Sequence, residues 1–378
     1  MAASAIGVIF SNMHEETVPE LVRRRTMASI PFGGRYRVID FALSNMVNSG
    51  INHVGLITHY NYQSLMDHIG TGKDWDLARR HGGIKILPPY ITAFANSANY
   101  LYNTRLEALI SIRDFISDCK EELVVLSDCD TVCNLDLQAM IDKHERSGAD
   151  ITLGVKSSYI TNDRTQAVTL VRSDENGRVT EISDRDDLAN SFEDVYVRIM
   201  VIGRKYLEEL ISDAVAHGYT SFTKDILVRS YKHHNIMTYK FDGYFATIRS
   251  ISDYYRCSMD LLDPEIRRSL FGDRTRPVFT KVRNSAPASY SSGAIVRNSL
   301  IADGCVIQGT VENSILFRGV KVGKNTHIKN SIIMQDTFTG ENVYLNCVIT
   351  DKNVFIRDGR VLSGHETKPF FIDKGSNV

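Results

Sequence analysis

The sequence predicts an α/β domain followed by a parallel β-helix, and two observations carry this prediction. From residue 1 to about 250, short apolar runs typical of strands alternate with segments of helical spacing, which predicts a sheet with parallel strands covered by helices. Farther on, apolar residues recur in steps of six with glycine or asparagine between them, a period typical of β-helix coils. The predicted domains are therefore 1–250, a connecting helix and linker at 251–285, and a β-helix at 286–378.

The composition is that of a soluble globular protein. Its 378 residues are enough for two domains with separate cores. Charged residues make up 24% and the formal net charge is −1, so nucleic acid and anionic membranes are not expected as partners. No apolar run reaches the roughly 18 residues of a membrane span, and the first residues lack the features of a secretory signal. Six scattered cysteines without a complete zinc spacing predict reduced thiols and a cytoplasmic protein.

Individual elements of the first domain follow from local patterns. Strands are predicted at residues 5–10, 53–58 and 123–126, and helices at 104–115, 135–147 and 207–216. An Asn176-Gly177 turn between the runs 168–171 and 179–182 predicts a β-hairpin. Helical spacing predicts the connecting helix at 250–271. The run at 123–126 ends abruptly in Ser-Asp-Cys-Asp, so polar side chains directly follow a buried strand.

The second domain is predicted from its apolar repeat. Each coil of a parallel β-helix stacks its apolar positions on those of the next coil, so that they form one continuous core. The residues expected to face this core are Ile295, Ile301, Ile307, Val322, Ile328, Met334, Val343, Ile349 and Phe355. A domain of this kind, placed after an enzyme domain, is expected to serve assembly or regulation. An ordinary antiparallel β domain is the alternative.

The most specific motif lies near the start of the chain. Residues 31–51 read PFGGRYRVIDFALSNMVNSGI, residues 259–262 read MDLL and residues 313–316 read NSIL. Together these segments resemble the bacterial ADP-glucose pyrophosphorylases (glucose-1-phosphate adenylyltransferases) of glycogen synthesis, over nearly the whole chain. The resemblance implies a doubly wound, Rossmann-like nucleotidyltransferase domain with a mixed sheet, then a left-handed β-helix, assembled as a tetramer. It also implies a reaction in which ATP and glucose 1-phosphate give ADP-glucose and pyrophosphate, with Mg²⁺ bridging the phosphates.

The segment that should bind the triphosphate departs from the family. The family loop has the form L-A-G-G-x-G-T-R-L, and its glycines fall on Asn12, Met13 and Glu15, its arginine on Thr17. Glycine is needed at such positions because the backbone must approach the phosphates closely. The family lysine before the Pro-Ala-Val stretch becomes Met27. This segment therefore lacks the expected features of a phosphate cradle.

The metal ligands depart from the family as well. The family motif S-G-D falls near Ser127-Asp128-Cys129-Asp130, so that Asp128 or Asp130 could take the place of its aspartate. The second aspartate comes from a W-x-D-V-G-T motif, where this chain has Thr247, and the glycine of that motif becomes Arg249. With one certain carboxylate, a hard divalent ion is weakly held. Asp128 and Asp130 are interpreted as vestigial metal ligands.

The sugar and base pockets are altered in the same way. The lysine of the family's E-K-P motif falls on Arg185, where three aspartates make an ion-pair network the simpler interpretation. The small S-x-G residues fall on Tyr196 and Arg198, whose side chains would fill the space of the glucose. The glutamine near the adenine becomes His59, for which a structural role is the simpler interpretation. Residues 104–108 replace the family's G-T-A-D-A.

Magnitudes favour a chain that does not catalyse the family reaction. If each lost phosphate donor, cation or metal ligand raised the barrier by about 2–3 kcal/mol, four losses would raise it by roughly 8–12 kcal/mol. That corresponds to about a million-fold or more in rate. The framework motifs remain, which predicts a non-catalytic, modulatory subunit that forms a hetero-oligomer, expected to be a heterotetramer, with a catalytic glucose-1-phosphate adenylyltransferase. No cofactor of its own is expected, since the catalytic partner would use the Mg²⁺.

Three further hypotheses remain open. The family places a lysine at the Arg35 position, within a basic cluster that receives phosphorylated sugar effectors, so Arg35 and Arg37 are candidate effector-binding residues, with a structural salt bridge as the alternative. The chain could instead be an active nucleotidyltransferase with altered nucleotide or sugar-phosphate specificity. A ligand-binding sensor or scaffold unconnected with glycogen is the third class.

Overall fold

A computed structural model describes residues 5–13, 15–89, 102–160, 168–185, 191–229 and 231–378, with the side chains of 184 and 185 excluded. The chain divides into two compact units that interleave along the sequence. The first unit comprises Met1–Met13, Phe41–Phe245 and Thr275–Phe279, and the second comprises His14–Asp40, Ala246–Arg274 and Thr280–Val378. The domain boundaries predicted from the sequence divide the chain at single points. In the structure, each unit is instead assembled from three separate segments of the chain.

Among the described residues, helices and strands are mixed as far as Phe271, and only strands follow. The helices are α1 (Pro19–Val22), α2 (Val38–Asn48), α3 (Gln63–Ile69), α4 (Arg105–Ser111), α5 (Arg113–Ser117), α6 (Leu137–Ser147), α7 (Arg204–His217), α8 (Ile251–Met259) and α9 (Pro264–Phe271). Short 3₁₀ turns lie at Glu15–Thr17, Met27–Ser29, Lys73–Trp75 and Asp260–Leu262, and a π-helical turn at Phe222–Val228. Within the described residues, no helix is both long and apolar enough to cross a lipid bilayer.

The strands before residue 250 belong mainly to the first unit. They are β1 (Ala5–Phe10), β2 (Pro31–Phe32), β3 (Tyr36–Arg37), β4 (His53–Ile57), β5 (Gly83–Leu87), β6 (Leu123–Asp128), β7 (Thr131–Cys133), β8 (Ile151–Ile160), β9 (Val168–Ser173), β10 (Val179–Arg185), β11 (Ser191–Gly203), β12 (Ile236–Lys240) and β13 (Phe245–Thr247).

The strands after residue 280 belong to the second unit. They are β14 (Ser289–Tyr290), β15 (Ile295–Arg297), β16 (Leu300–Ile301), β17 (Val306–Ile307), β18 (Thr310–Glu312), β19 (Ile315–Leu316), β20 (Lys321–Val322), β21 (His327–Lys329), β22 (Ile332–Ile333), β23 (Phe338–Thr339), β24 (Tyr344–Asn346), β25 (Val348–Thr350), β26 (Phe355–Ile356), β27 (Val361–Ser363) and β28 (Phe370–Ile372).

The first unit is built on a mixed sheet. Strands β6, β1, β4 and β5 are parallel, and β11 runs antiparallel to β6. Strand β8 is antiparallel to β11 and parallel to β12, while the β9–β10 hairpin lies against β11. Every residue of β1 is buried, as expected for a central strand covered on both faces. Because parallel strands end at the same edge, the residues that follow β1, β4 and β6 meet there and form the candidate functional site.

Two predicted helices are each interrupted, and a local feature of the backbone explains each interruption. The predicted helix 104–115 is two helices, α4 and α5, separated at Ile112, which leaves the helical region with φ −110° and ψ 14°. The predicted helix 250–271 is α8, a 3₁₀ turn and α9. Pro264 cannot donate a backbone hydrogen bond and holds Asp263 extended at ψ 123°. The predicted strands and the hairpin around Gly177, which has φ 83°, are confirmed.

The second unit contains a parallel β-helix, so the predicted fold class is confirmed. Its strands form three five-stranded parallel sheets, consistent with the left-handed β-helix that the resemblance implies. The register joins Ile307 to Val322 and Val322 to Thr339, steps of 15 and 17 residues instead of 18. Shorter coils shift the phase of the apolar repeat, and Ile356 faces the core while Phe355 is 43% exposed.

The other residues predicted to face the core of the β-helix differ in how far they are buried. Ile295, in the first coil, is 43% exposed and Ile301 is half-buried, so the prediction is wrong for Ile295 and Phe355. The remaining positions are buried as predicted: Ile307, Val322, Ile328, Met334, Val343 and Ile349.

The segment 14–40 belongs to the second unit through specific contacts. Arg25 donates two hydrogen bonds of 2.7 Å to the carboxylate of Asp351, and both side chains are buried. The Tyr254 hydroxyl donates to the Pro31 carbonyl at 2.8 Å. The PFGG motif forms the β2–β3 hairpin, in which Gly33 has φ 56° and a Cβ would lie 3.0 Å from Leu261. Glycine is therefore required there by the turn and by this close approach.

The buried Arg25–Asp351 pair predicts a large loss of stability when one partner is removed. We expect Arg25→Ala to lower the free energy of unfolding by about 3–5 kcal/mol, because it leaves a buried carboxylate unpaired. Arg23→Ala is the matched control, since Arg23 makes an exposed pair with Asp373 and its loss should change stability by about 1 kcal/mol or less. Urea unfolding of both variants measures the difference, and equal losses would contradict the prediction.

Candidate functional site

Two buried carboxylates mark the carboxyl edge of the sheet. Asp128 ends β6 and Asp130 follows two residues later, and each is 1% exposed. The Arg105 guanidinium donates two hydrogen bonds to Asp128 Oδ2, the one from Nε at 3.0 Å. Arg198 Nη1 donates to Asp130 Oδ2 at 2.9 Å and lies 3.7 Å from Asp128 Oδ2. The two carboxylates are thus neutralised by two guanidinium groups of the same chain.

Arg198 occupies a backbone conformation that ordinarily belongs to glycine. Its φ is +60°, and the pairing of β11 with β8 shifts register between Tyr196 and Met200. The resemblance places a family glycine at this position. A side chain in the left-handed region costs about 1–2 kcal/mol. The ion pairs with Asp128 and Asp130 offset that cost, and they direct the guanidinium toward the carboxylates.

Arg105 is fixed by the start of helix α4. Thr104 caps this helix: its Oγ1 accepts from Glu107 N at 3.2 Å, and Glu107 Oε2 accepts from Thr104 N at 3.1 Å. A cation in the first turn opposes the helix dipole, so Arg105 needs an acidic partner. Burial acts to lower the pKa of Arg105, but Asp128 outweighs it and the net pKa is raised. Arg105 is therefore charged across the physiological range.

Tyr196, on strand β11, lies beside Arg105 in this cluster of buried carboxylates and guanidinium groups. The residue is buried, and the Arg105 guanidinium carbon lies 5.8 Å from the centre of its ring. Burial raises the pKa of the Tyr196 phenol to about 12, so the group is neutral at physiological pH. An aromatic ring therefore occupies the place where the family has a small serine beside its sugar.

The described residues of this edge do not fit a magnesium site. Mg²⁺ needs oxygen ligands in octahedral geometry and usually retains several waters. Here Oδ2 of each carboxylate accepts from Arg105 or Arg198 instead. Thr247 and Arg249, at the positions of the second metal-binding aspartate and the glycine of its motif, lie in the second unit, and neither carries a carboxylate. A divalent ion would therefore compete with two guanidinium groups for these buried carboxylates.

The segment after β1 is held by side-chain contacts within the first unit. Its backbone does not form a cradle for phosphates. Asn12 Oδ1 accepts from Ser11 Oγ at 2.8 Å, from Thr58 Oγ1 at 3.0 Å and from His59 N at 3.1 Å. Met13 is buried in the hydrophobic core of the first unit. These contacts hold the segment against the end of β4, so two of the family's glycine positions are filled by side chains with structural partners.

The other loop positions lie in the second unit. Glu15 is buried, and its Oε1 accepts from the backbone N–H of Met27 at 3.1 Å. Met27 is itself fully buried, and Thr17 ends a short 3₁₀ turn. A carboxylate bonded to backbone and a buried thioether stand at positions where the family has a glycine and a lysine. Neither group can neutralise a phosphate.

His59 behaves as a structural histidine. It follows β4, its Nδ1 accepts from Tyr60 N at 2.9 Å, and its ring lies 5.0 Å from that of Tyr102. Burial lowers the pKa of His59 to about 4, so the imidazole is neutral at physiological pH. Arg185 ends strand β10, and its side chain lies outside the part of the chain that the structure describes.

Sequence reasoning identified most of this group but missed Arg105 as the partner of Asp128. The structure brings together Asp128, Asp130, Tyr196 and Arg198, and separately joins Asn12 to His59. One signal for Arg105 was present in the sequence. An arginine at the second position of a Thr-x-x-Glu capping box lies at the positive end of a helix, where a neighbouring carboxylate is expected.

Comparisons with known proteins place the chain in a family. The nucleotidyl transferase model matches residues 19–263, and the GlmU-like, C-terminal hexapeptide model matches residues 285–368. The glycogen biosynthesis protein GlgD of Bacillus subtilis (strain 168) is 33% identical over 378 residues, 98% of this chain and 96% of that protein. This chain belongs to the ADP-glucose pyrophosphorylase family, as a GlgD-like member.

Other members of the ADP-glucose pyrophosphorylase family show a similar level of identity. The GlgD protein of Geobacillus stearothermophilus is 36% identical over 371 residues, 98% of this chain and 96% of that protein. The glucose-1-phosphate adenylyltransferase of Halalkalibacterium halodurans is 33% identical over 335 residues, 87% of this chain and 85% of that protein. Relatives of both names share about a third of their residues with this chain. Overall identity therefore does not distinguish the two kinds of protein, and the site residues have to be compared instead.

The Arg198 arrangement predicts a metal response that appears when the arginine is removed. We expect Arg198→Gly to relieve the φ strain but to leave Asp130 unpaired, lowering the free energy of unfolding by about 2–4 kcal/mol at neutral pH. Millimolar Mg²⁺ should recover part of this loss, because the vacated carboxylates can then bind a cation. The measurement is thermal unfolding with and without Mg²⁺.

Arg198→Lys is the control for this prediction, because it keeps a cation at the same position. Its stability, like that of the unaltered chain, should be indifferent to Mg²⁺. An unaltered chain that Mg²⁺ stabilises as strongly as it stabilises Arg198→Gly would contradict the assignment of Arg198 as the resident cation.

Proposed function

We propose that this chain is a non-catalytic, modulatory subunit of glucose-1-phosphate adenylyltransferase in glycogen biosynthesis, acting in a hetero-oligomer with the catalytic subunit. The observation that carries the proposal is the pairing of Asp128 and Asp130 with Arg105 and Arg198. A nucleotidyl transfer must stabilise charge that develops on the leaving pyrophosphate, and this family does so with Mg²⁺ and phosphate donors. Such stabilisation is not supported by carboxylates that already hold guanidinium groups.

Retention of the framework supports a role in assembly. The segment 31–51 and the β-helix keep the family pattern, and buried contacts such as Arg25–Asp351 and Tyr254–Pro31 hold the second unit together. The relatives named GlgD and glucose-1-phosphate adenylyltransferase match most of the chain. A chain that has lost the metal site but kept the rest of its fold is suited to associate with an active relative. It can activate that relative if its contacts are stronger in the active state.

Mixing with a catalytic subunit tests this proposal. The purified chain should show no measurable ADP-glucose synthesis, whereas the mixed oligomer should exceed the catalytic subunit alone by a factor of about 5 or more, or should change its effector response, as expected for allosteric coupling. Co-purification of the two chains and assay of pyrophosphate release measure both outcomes. Absence of any change on mixing would contradict the proposal.

A second mixture separates modulation from an altered active site in this chain. When the catalytic subunit is inactivated at its own metal-binding aspartates, the mixture should be silent, because the chain supplies no chemistry. Magnesium-dependent pyrophosphate release by the chain alone, with any member of a nucleotide and sugar-phosphate panel, would instead favour a nucleotidyltransferase of altered specificity.

A cluster of cations in the second unit supports the effector role proposed for Arg35 and Arg37. Arg35 is exposed after the Gly33–Gly34 turn, and Arg37 is buried. Burial, with Arg37 and Arg25 nearby, lowers the pKa of Lys352 to about 7. Burial is the largest cause of this lowered pKa, and the two arginines add to it, which indicates that other cations lie near this lysine.

Arg318 extends this cluster on the β-helix. Its Nε lies 3.0 Å from Asp303 Oδ2, and its pKa is lowered by burial and by the neighbouring Arg35 and Arg283. Asp303 and Asp351 neutralise part of the charge. The dianion of a phosphorylated sugar would relieve the remaining repulsion and raise the pKa of Lys352. Arg35 is the exposed member that such a ligand would meet first.

The effector role predicts a specific loss in the mixed oligomer. We expect Arg35→Ala to raise the half-saturating concentration of an activating sugar phosphate by about 10-fold or more, the effect of losing a charged hydrogen bond. Arg297→Ala is the matched control, because Arg297 is an exposed arginine of the same unit that pairs with Glu312. An unchanged response in the Arg35→Ala oligomer would contradict the site.

A further inference from the structure

Three metal-ligating side chains meet at the opposite edge of the sheet from the candidate functional site. His53 begins β4, and Cys119 and Glu121 lie in the connection between α5 and β6. Because β4 and β6 are the two parallel neighbours of β1, their amino ends lie at one edge. Among the described residues, these three form a group whose ligand atoms all lie within 4.8 Å of one another.

The distances match the edges of a tetrahedral zinc site. His53 Nδ1 lies 3.2 Å from Glu121 Oε1 and 3.9 Å from Cys119 Sγ. Around a tetrahedral Zn²⁺ with ordinary bond lengths, the nitrogen–oxygen edge is about 3.4 Å and the nitrogen–sulfur edge about 3.6 Å. Both distances lie within about 0.3 Å of these edges, and the ligand atoms of Cys119 and Glu121 lie within 4.8 Å of each other. We propose that His53, Cys119 and Glu121 form a zinc-binding site.

The chemistry of the three donors favours zinc over the harder cations. A thiolate, an imidazole and a carboxylate together suit Zn²⁺, whereas Mg²⁺ and Ca²⁺ prefer oxygen ligands alone. The His53 and Glu121 side chains are 24% and 26% exposed, and Cys119 is buried behind them. An ion can therefore enter from solvent, with water completing the fourth position. Three protein ligands and one open position make this site different from a closed structural Cys₄ centre.

Neighbouring groups hold the ligands in place before an ion arrives. Glu121 Oε2 accepts from Lys120 N at 3.0 Å, and the backbone carbonyl of Glu121 accepts from Arg204 Nε at 2.8 Å. Cys119 Sγ donates to the Phe115 carbonyl at 3.0 Å, and the Phe115 ring lies edge-on to His53 at 5.3 Å. Outer contacts of this kind orient ligands and strengthen metal binding.

Zinc must displace the thiol proton, so its affinity should depend on pH. Burial raises the pKa of Cys119 to about 11; Glu121 and Asp118 also raise it, while Arg204 and Lys85 lower it. A metal-bound thiol loses its proton, and one proton is released for each ion bound.

Zinc titration of the metal-free, full-length chain tests the site. We expect one Zn²⁺ per chain by calorimetry, a higher thermal midpoint with zinc, and affinity at least about 10-fold lower in Cys119→Ser and in Glu121→Gln. His217→Ala is the matched control, since His217 makes an exposed pair with Asp213 at 3.0 Å that lacks a cysteine. That variant should bind zinc as the unaltered chain does.

Cobalt substitution reports on the sulfur directly, so it does not depend on stability. The Co²⁺-loaded chain should show a thiolate-to-metal charge-transfer band, which persists in Glu121→Gln and is lost in Cys119→Ser. Because Glu121 is partly exposed, its variant is expected to fold. Absence of zinc binding by the unaltered chain, or equal affinity in Cys119→Ser, would overturn the proposal. Neither result bears on the modulatory role, which the mixing experiment tests separately.

Discussion

The contact on which the functional conclusion depends is the pairing of Arg198 with Asp130 and Asp128. It places a fixed monovalent cation, carried by the chain itself, at carboxylates that would otherwise bind a divalent ion. The φ of +60° at Arg198 shows that β11 still follows the path that suits a glycine. Arg198 therefore fits a backbone position that suits glycine because its guanidinium pairs with buried carboxylates. Arg105 completes the neutralisation from helix α4.

The residues that stand at the family's site positions lie in both units. In the first unit, the residues that follow β1, β4 and β6 have become structural: Met13 packs in the core, Asn12 joins the strand ends, and His59 is held neutral by burial. In the second unit, the hairpin of the PFGG motif and the β-helix keep the family pattern and carry a cluster of cations. Glu15 and Met27 of the second unit are buried as well, so side chains with structural contacts stand at the family's loop positions in both units.

Much of the fold could be predicted from the periodicity of the apolar residues. The predictions that were wrong have local physical causes. The strands at the centre of the sheet were predictable because continuous apolar runs end in polar turns. The break before α9 was also readable, since Pro264 disfavours a helical conformation at the residue before it. Phe355 was assigned to the core because a strict six-residue step ignores a coil of 17 residues, a length set by turns that the apolar pattern does not report. Arg198 could be identified as a site residue from its position in a family motif. Its pairing with Asp128 and Asp130 could not be predicted, because that pairing depends on the tertiary structure.

Titration of ATP into the isolated chain, with and without Mg²⁺, tests most directly whether the edge of the sheet has lost its metal. With Arg105 and Arg198 bound to the carboxylates, we expect any heat of nucleotide binding to be the same in both titrations. Tight binding that requires Mg²⁺ would contradict this expectation, because it would mean that the ion displaces the guanidinium groups and that a working triphosphate site remains.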